Sequence, residues 1–177
     1  VAVDPGYTGY TQWLNKRGGI ESDLTVTRLA GDDYLVVTSA GAQVRDMHWL
    51  QSHTPPDARC FATDVTAGYA VLAIMGQRAR DVLQPLVSVD LSNESFPFGS
   101  SREIELGYAV VRASRITYVG ELGWELYIPS DMALHVYEIL TAMPLVHVGM
   151  HAVNSLRMEK GYRHWGHDIT DEETPLE

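Results

Sequence analysis

The hydrophobic and polar positions of this chain predict short strands that alternate with helices. Alternation of apolar and polar residues predicts strands over residues 9–14 and 20–29, separated by a turn at residues 15–19. The segment Gly31-Asp-Asp33 predicts a second turn that leads into a strand over residues 34–38. The same signals predict further strands near residues 58–64, 68–75, 102–119 and 124–128.

Helical spacing of apolar residues predicts the remaining elements. Helices are expected over residues 41–51, from Gln77 onward, over 131–141 and over 149–160. The helix that starts at Gln77 carries an apolar stripe at helical spacing, which predicts core packing and not a cofactor site: Ala79, Val82, Leu83 and Leu86. Ser130 is predicted to cap the third helix, and Gly161 to end the fourth.

These elements predict an α+β fold, with mixed or antiparallel sheets covered by helices on one side. The 177 residues are enough for one domain or for two lobes. No G-x-G-x-x-G segment follows a predicted strand, so we expect no nicotinamide or flavin site within this chain.

Composition excludes several classes of function. The formal net charge of −10 argues against nucleic acid as a partner, because phosphate backbones are bound by clustered Lys and Arg. The longest apolar runs are far shorter than a membrane span, so no membrane partner is expected. Cys60 is the single cysteine of the chain, and its strand-like surroundings predict a buried, unreactive side chain.

The last third of the chain predicts a ligand site. Residues 115–126 (RITYVGELGWEL) alternate on both sides of a glycine-bounded loop, which predicts a hairpin that pairs Tyr118 with Glu125. Opposed residues of an antiparallel pair project from the same face, so a ring and a carboxylate would lie side by side. This combination suits a flat heterocycle that carries N–H donors. The alternative is an ordinary cross-strand pair on a half-exposed sheet.

Three motifs in a fixed order resemble one family. They are the hairpin, residues 154–168 (NSLRMEKGYRHWGHD) and residues 15–24 (NKRGGIESDL). The chain resembles the aminomethyltransferase family, the folate-binding T-proteins of glycine cleavage, from about Tyr10 to its end. Its motifs are most similar to those of the dimethylglycine and sarcosine dehydrogenase or oxidase branch. T-proteins commonly carry Arg at the place of Val153, and its absence here favours that branch.

The resemblance implies a catalytic role for Asp23. The acidic residue that precedes Leu24 occupies the family's position beside the reacting folate nitrogens, and its carboxylate could stabilise and remove a proton there. Ser22 departs from the family, since T-proteins usually carry a second acid at that place. Tyr10 resembles a tyrosine that lines the same pocket. The alternatives are an Asp that caps a turn and an aromatic residue on an edge strand.

The resemblance also implies the residues that bind tetrahydrofolate. Glu125 would accept paired hydrogen bonds from the pterin ring, and Tyr118 would flank that ring. Tyr162 and Arg157 would lie near the folate or its tail, although a helix-surface salt bridge is an alternative for this segment. Four arginines could form a basic rim for the negatively charged folate tail: Arg112, Arg115, Arg157 and Arg163. The alternative is that these side chains are ordinary surface residues.

A metal site is not expected. His164 and His167 are three residues apart, but Gly161 and Gly166 argue against a continuous helix that would hold both imidazoles on one cation. No further cluster of Cys or His occurs at ligand spacing.

The resemblance therefore implies tetrahydrofolate-dependent one-carbon transfer. The domain would capture the iminium or formaldehyde equivalent from oxidative demethylation of an N-methyl amino acid, dimethylglycine or sarcosine, and form 5,10-methylenetetrahydrofolate. FAD would bind only in an upstream domain, and residues 1–177 would be an excised part of a longer flavoenzyme that also has a C-terminal barrel. The expected location is the cytoplasm, or the mitochondrial matrix in a eukaryote. The alternatives are a glycine-cleavage aminomethyltransferase and a non-catalytic folate-binding or regulatory module.

Overall fold

The computed structural model describes residues 2–176, which form two compact units. The first unit contains residues 2–5, 9–66 and 164–176, and the second contains residues 6–8 and 67–163. Val1 and Glu177 lie outside the described residues.

The first unit is built on a three-stranded sheet in the order β1-β2-β3. The strands are β1 Thr8–Leu14, β2 Ile20–Ala30 and β3 Asp33–Val37, and α1 covers Gln43–His53 after a 3-10 turn. β2 and β3 pair antiparallel. The predicted strands, turns and first helix of this region are thus confirmed.

The turn between β1 and β2 is closed by a side chain. Oδ1 of Asn15 accepts hydrogen bonds from the backbone N–H groups of Arg17 and Gly19, at 2.9 and 3.0 Å. Gly18 has a φ of 85°, a conformation that favours glycine. A Cβ at Gly19 would lie 1.9 Å from the carbonyl oxygen of Asp171, so the C-terminal segment packs directly on this turn.

The second unit is built on a four-stranded antiparallel sheet in the order β4-β7-β6-β5. Its strands are β4 Tyr69–Met75, β5 Ser101–Leu106, β6 Ala109–Ser114 and β7 Gly123–Pro129. Its helices are α2 Ala79–Leu83, α3 Ala133–Thr141 and α4 Met150–Glu159. The predicted α+β class is therefore confirmed.

Helices α2 and α3 bury one face of β7. Trp124, Leu126 and Ile128 are fully buried in a core that includes Leu83 of α2 and Val136 of α3. Because strand residues alternate between the two faces, the residues between these three project from the opposite face of the sheet. That face carries Glu125 and Tyr127, described below.

Several local predictions are wrong. Residues 58–64 form no strand and are exposed, and Cys60 is exposed instead of buried. The alternation there has no neighbouring strand to pair with. The strands predicted near residues 102–119 are β5 and β6, but residues 115–119 form no strand. Ser130 does not cap the third helix, because it lies in a 3-10 turn and the N-cap of α3 is Met132. The Ser130 hydroxyl donates to the carbonyl oxygen of Ala67 at 2.7 Å.

The predicted pairing of Tyr118 with Glu125 is also wrong. Glu125 lies opposite Ser114 of β6 and Ala73 of β4, and residues 115–122 form no strand. β6 ends at Ser114, although the backbone N–H of Arg115 still donates to the carbonyl oxygen of Ser100, in register with the pairing of β5 and β6. The Arg115 side chain donates through Nη1 to the carbonyl oxygen of Phe96.

Candidate functional site

Asp23 and Tyr10 are in direct contact in the first unit. The Tyr10 hydroxyl donates to Oδ2 of Asp23 at 3.3 Å. On β2, Ile20, Ser22 and Leu24 are buried, so strand alternation turns the Asp23 side chain to the more open face. Asp23, which was predicted for the chemical step, and Tyr10, which was predicted to line the same pocket, are therefore in contact in the structure.

The surroundings of Asp23 favour its neutral form. Burial raises the pKa of Asp23 above its ordinary value, because a carboxylate loses hydration there. The Tyr10 hydroxyl and the nearby imidazole of His164 lower this pKa, whereas the charge of Asp46 raises it. A raised pKa makes the carboxylate a stronger base, which suits a group that accepts and returns a proton.

Glu125 lies on β7 in the second unit with a second hydroxyl donor. The Tyr127 hydroxyl donates to Oε2 of Glu125 at 2.6 Å. Burial raises the pKa of the Glu125 carboxyl, and this hydrogen bond opposes the shift. The carboxylate keeps further acceptor capacity, since its two oxygens offer more lone pairs than one hydroxyl occupies.

Tyr118 and Tyr162 lie together although their segments are distant in sequence. Their ring centroids are 6.4 Å apart, with 27° between the ring planes. Tyr162 also lines an open pocket of about 320 Å³ in the second unit. The other residues that line this pocket are Phe98, Arg115, Thr117, Glu121, Leu122 and two glycines. The two predicted aromatic residues are thus brought to one place.

Arg157 is buried and holds the end of α4. Its Nε and Nη2 donate to Oδ1 of Asn154 at 2.8 and 2.6 Å, and its Nη1 donates to the carbonyl oxygen of Tyr162 at 2.8 Å. The helix ends at Glu159 with Lys160 as its C-cap, and Gly161 follows with a φ of 75°. Arg157 therefore supports Tyr162 directly, and a contact of Arg157 with folate stays a prediction.

The other arginines of the predicted basic rim have protein partners. Nη2 of Arg112 lies 3.0 Å from Oε1 of Glu103, and Nη2 of Arg115 donates to Oδ1 of Asn93 at 2.7 Å. Nη1 of Arg163 donates to the carbonyl oxygen of Gly161. A rim for a negative tail stays a prediction.

The C-terminal histidines are in contact with one acidic residue. The rings of His164 and His167 lie 5.9 Å apart, and the backbone N–H of His164 donates to Oδ2 of Asp168 at 2.8 Å. Among residues 2–176, no group of three or more His, Cys, Asp or Glu side chains is arranged to hold a metal ion.

No helix of the same residues is long and apolar enough to cross a membrane.

Two hydrogen bonds beside the candidate site residues were not predicted from the sequence. Tyr127 stands two residues after Glu125 on the same strand, so the E-x-Y spacing on β7 could have indicated their contact. The contact of Ser22 with Asp46 had no such signal, because α1 brings Asp46 to β2 from a distant part of the sequence.

The fold is that of an aminomethyltransferase. The solved structure of the glycine cleavage system aminomethyltransferase T from Bartonella henselae matches 98% of this chain with a TM-score of 0.81 and 30% identity, and the match covers 46% of that protein. The chain belongs to the GCVT N-terminal domain family, whose model matches residues 1–177. The family predicted from the sequence is thus confirmed.

Curated relatives include proteins of more than one kind. The chain is 40% identical to mouse mitochondrial sarcosine dehydrogenase over 98% of its length. It is 35% identical to the mouse mitochondrial pyruvate dehydrogenase phosphatase regulatory subunit over 99% of its length. The chain spans about a fifth of each of these relatives, 21% and 20%, so in them the matched domain is one part of a longer protein.

Proposed function

We propose that this domain binds tetrahydrofolate and transfers a one-carbon unit to it. The unit would be the iminium or formaldehyde equivalent of an oxidised N-methyl amino acid, sarcosine or dimethylglycine, and the product would be 5,10-methylenetetrahydrofolate. The observation that carries the proposal is the Tyr10–Asp23 contact on the open face of β2, in a member of the aminomethyltransferase family.

The proposed chemistry assigns one proton relay to Asp23. Tetrahydrofolate supplies two N–H nitrogens that take up the one-carbon unit. When the carbon is delivered as an iminium, both N–H protons must reach the departing amine nitrogen for the atoms to balance. Asp23 accepts a proton from an attacking nitrogen and returns it to that amine. Its raised pKa and the Tyr10 hydroxyl suit this exchange.

The binding role is assigned to the second unit. Glu125 fits a heterocycle that bears an amino group beside an N–H, because a carboxylate accepts two such hydrogen bonds in parallel. Tyr127 orients the carboxylate through its own hydroxyl bond. The Tyr118–Tyr162 pair offers aromatic surface of the kind that packs against a flat ring.

The proposed setting is a longer flavoenzyme. Oxidation of the N-methyl group requires an electron acceptor, and we assign it to an FAD domain outside residues 1–177. The 40% identity to sarcosine dehydrogenase supports this arrangement. We propose the mitochondrial matrix in a eukaryote, since that relative is named as mitochondrial, and the cytoplasm in a bacterium.

Two other candidates have their own support. A glycine-cleavage aminomethyltransferase is favoured by the TM-score of 0.81 to such an enzyme. A module without turnover is favoured by the 35% identity to a regulatory subunit, although Asp23 and Glu125 are both present here. A regulatory module would tolerate Asp23→Asn without loss of any measured activity.

Calorimetric titration with 5-formyltetrahydrofolate, a stable reduced folate, tests the binding role. The wild-type chain should bind, and Glu125→Ala should weaken binding by about 2 kcal/mol or more, since a charged hydrogen-bond acceptor is lost. Glu105→Ala removes an exposed carboxylate from β5 of the same sheet and serves as the control. Equal affinities for wild type and Glu125→Ala would refute the assignment.

A further inference from the structure

Asp46 is a buried acidic residue with specific partners. It lies on α1 with 3% of its surface exposed. Its Oδ2 accepts a hydrogen bond from the Ser22 hydroxyl at 2.8 Å. Its Oδ1 accepts hydrogen bonds from Nε and Nη2 of Arg45 at 3.0 and 2.9 Å. Burying a carboxylate is costly, and each of these bonds offsets part of that cost.

The Ser22–Asp46 bond is adjacent to the residue assigned to the chemistry. Ser22 is 2% exposed and directly precedes Asp23 on β2. Successive side chains of a strand point to opposite faces, so fixing Ser22 on the buried face fixes the direction of Asp23 on the other face. Asp46 of α1 is therefore linked to Asp23 through the hydroxyl group of Ser22.

The same network ties the C-terminal segment to β2. The Arg45 guanidinium lies 4.1 Å from the ring centroid of Trp165, and Nε1 of Trp165 donates to the carbonyl oxygen of Ile20 at 2.6 Å. Both sides of the Ile20–Ser22 segment are therefore held, one by Asp46 and one by Trp165. A catalytic side chain must be held within a fraction of an ångström of its working position, and this network supplies such support.

We propose that Asp46, acting through Ser22, is the positioning residue for Asp23. The proposal rests on the function proposed above, because it gives Asp46 a role in the reaction only if Asp23 has one. Asp46 also acts on Asp23 by charge. Three side chains act on the pKa of Asp23: Tyr10 on β1, Asp46 on α1, and His164 in the C-terminal segment. Arg45 of α1 forms an ion pair with Asp46.

Two variants distinguish the effect of the Ser22–Asp46 hydrogen bond from the effect of the negative charge of Asp46. Ser22→Ala removes the link and leaves the buried carboxylate bonded to Arg45. Asp46→Asn keeps an acceptor for Ser22 and removes the negative charge. Asp33→Asn, at the exposed start of β3, is the control for a change of net charge in the same unit.

The first readout is the pKa of Asp23, measured by carbon-13 NMR of its carboxyl group in the chain without any folate. Asp46→Asn should lower this pKa, because a like charge is removed, whereas Asp33→Asn should leave it unchanged. An unchanged pKa in Asp46→Asn would overturn the electrostatic part of the proposal. This result does not depend on turnover, so it stands apart from the proposed function.

The second readout is the split between folate affinity and turnover. Ser22→Ala should lower the rate of methylenetetrahydrofolate formation about tenfold with an unchanged dissociation constant for reduced folate, because Asp23 is displaced and Glu125 is not. A wild-type rate in Ser22→Ala would overturn the positioning role. If the wild-type chain itself shows no turnover, the proposed function fails, and the NMR titration still decides whether Asp46 and Asp23 are coupled.

Discussion

The Tyr10 hydroxyl donates to Oδ2 of Asp23, and this contact lies on the open face of a strand whose other face is buried. Tyr10 itself is 63% exposed, so the pair is accessible from solvent. The hydroxyl lowers the pKa of Asp23 while burial raises it, and burial has the larger effect. Ionisation of Asp23 therefore lowers the free energy of unfolding of the domain.

Asp23→Asn should therefore stabilise the domain at neutral pH. The folded-state pKa of Asp23 lies above its reference value of 3.8, so ionisation destabilises the folded state as the pH rises above that value. We expect a higher melting temperature for Asp23→Asn at pH 7 and no difference near pH 3, where Asp23 is protonated in both states. Thermal unfolding across this pH range, with Asp33→Asn as control, measures the effect. A gain of equal size at both pH values would contradict it.

Tyr127→Phe should destabilise the second unit. The change removes the hydroxyl that donates to Glu125 at 2.6 Å and leaves a half-buried carboxylate with one donor fewer. We expect a loss of about 1–3 kcal/mol in the free energy of unfolding, measured by urea denaturation. The loss should shrink at low pH, because the bond lowers the pKa of Glu125 and so contributes most when Glu125 is ionised.

Tyr108→Phe provides the matched comparison for this prediction. Tyr108 is 90% exposed, so removal of its hydroxyl should change the free energy of unfolding by less than about 0.5 kcal/mol. Equal losses in the two variants would show that the Tyr127 hydroxyl has no specific partner.

Gly19→Ala should disrupt the packing of the C-terminal segment on the β1–β2 turn. The added methyl group would lie 1.9 Å from the backbone oxygen of Asp171, which a side-chain rotation cannot relieve. We expect a loss of about 2 kcal/mol or more in the free energy of unfolding. Gly41→Ala adds the same methyl group 4.0 Å from its nearest neighbour and should be nearly neutral. A neutral Gly19→Ala would contradict the described contact.

Cys60 should react with a thiol reagent in the native protein. The residue is exposed in a segment without regular secondary structure. Treatment with Ellman's reagent in the absence of denaturant should therefore modify one thiol per chain at a rate close to that in urea. Protection of the thiol until the protein unfolds would instead support the buried strand that the sequence suggested.

Local patterns predicted most of the helices and strands but not all of their partners. The strands on either side of the Asn15 turn follow from alternation and from turn residues, and the contact between Tyr10 and Asp23 fits that hairpin. The alternation at residues 115–119 looks the same, yet these residues form no strand, and the Arg115 side chain donates to the carbonyl oxygen of Phe96, 19 residues earlier in the chain. Such long-range bonds leave no periodic signal in a sequence.

In the candidate site, too, the sequence predicted the residues better than their contacts. Motif resemblance indicated Asp23, Glu125, Tyr118 and Tyr162, and the structure brings Tyr118 to Tyr162 and Tyr10 to Asp23. The partners that tune the carboxylates depend on how elements pack. Tyr127 reaches Glu125 along one strand, whereas Asp46 reaches Ser22 from α1, and the second kind of contact required the tertiary structure.

The most direct test of the central claim is to measure folate affinity and turnover together in Asp23→Asn. The rate of 5,10-methylenetetrahydrofolate formation from tetrahydrofolate and formaldehyde, above the spontaneous rate, is compared with the dissociation constant for 5-formyltetrahydrofolate. We expect Asp23→Asn to lose about 100-fold or more in rate with little change in affinity. A wild-type rate in Asp23→Asn would contradict the role of Asp23 and favour a module that binds folate without turnover.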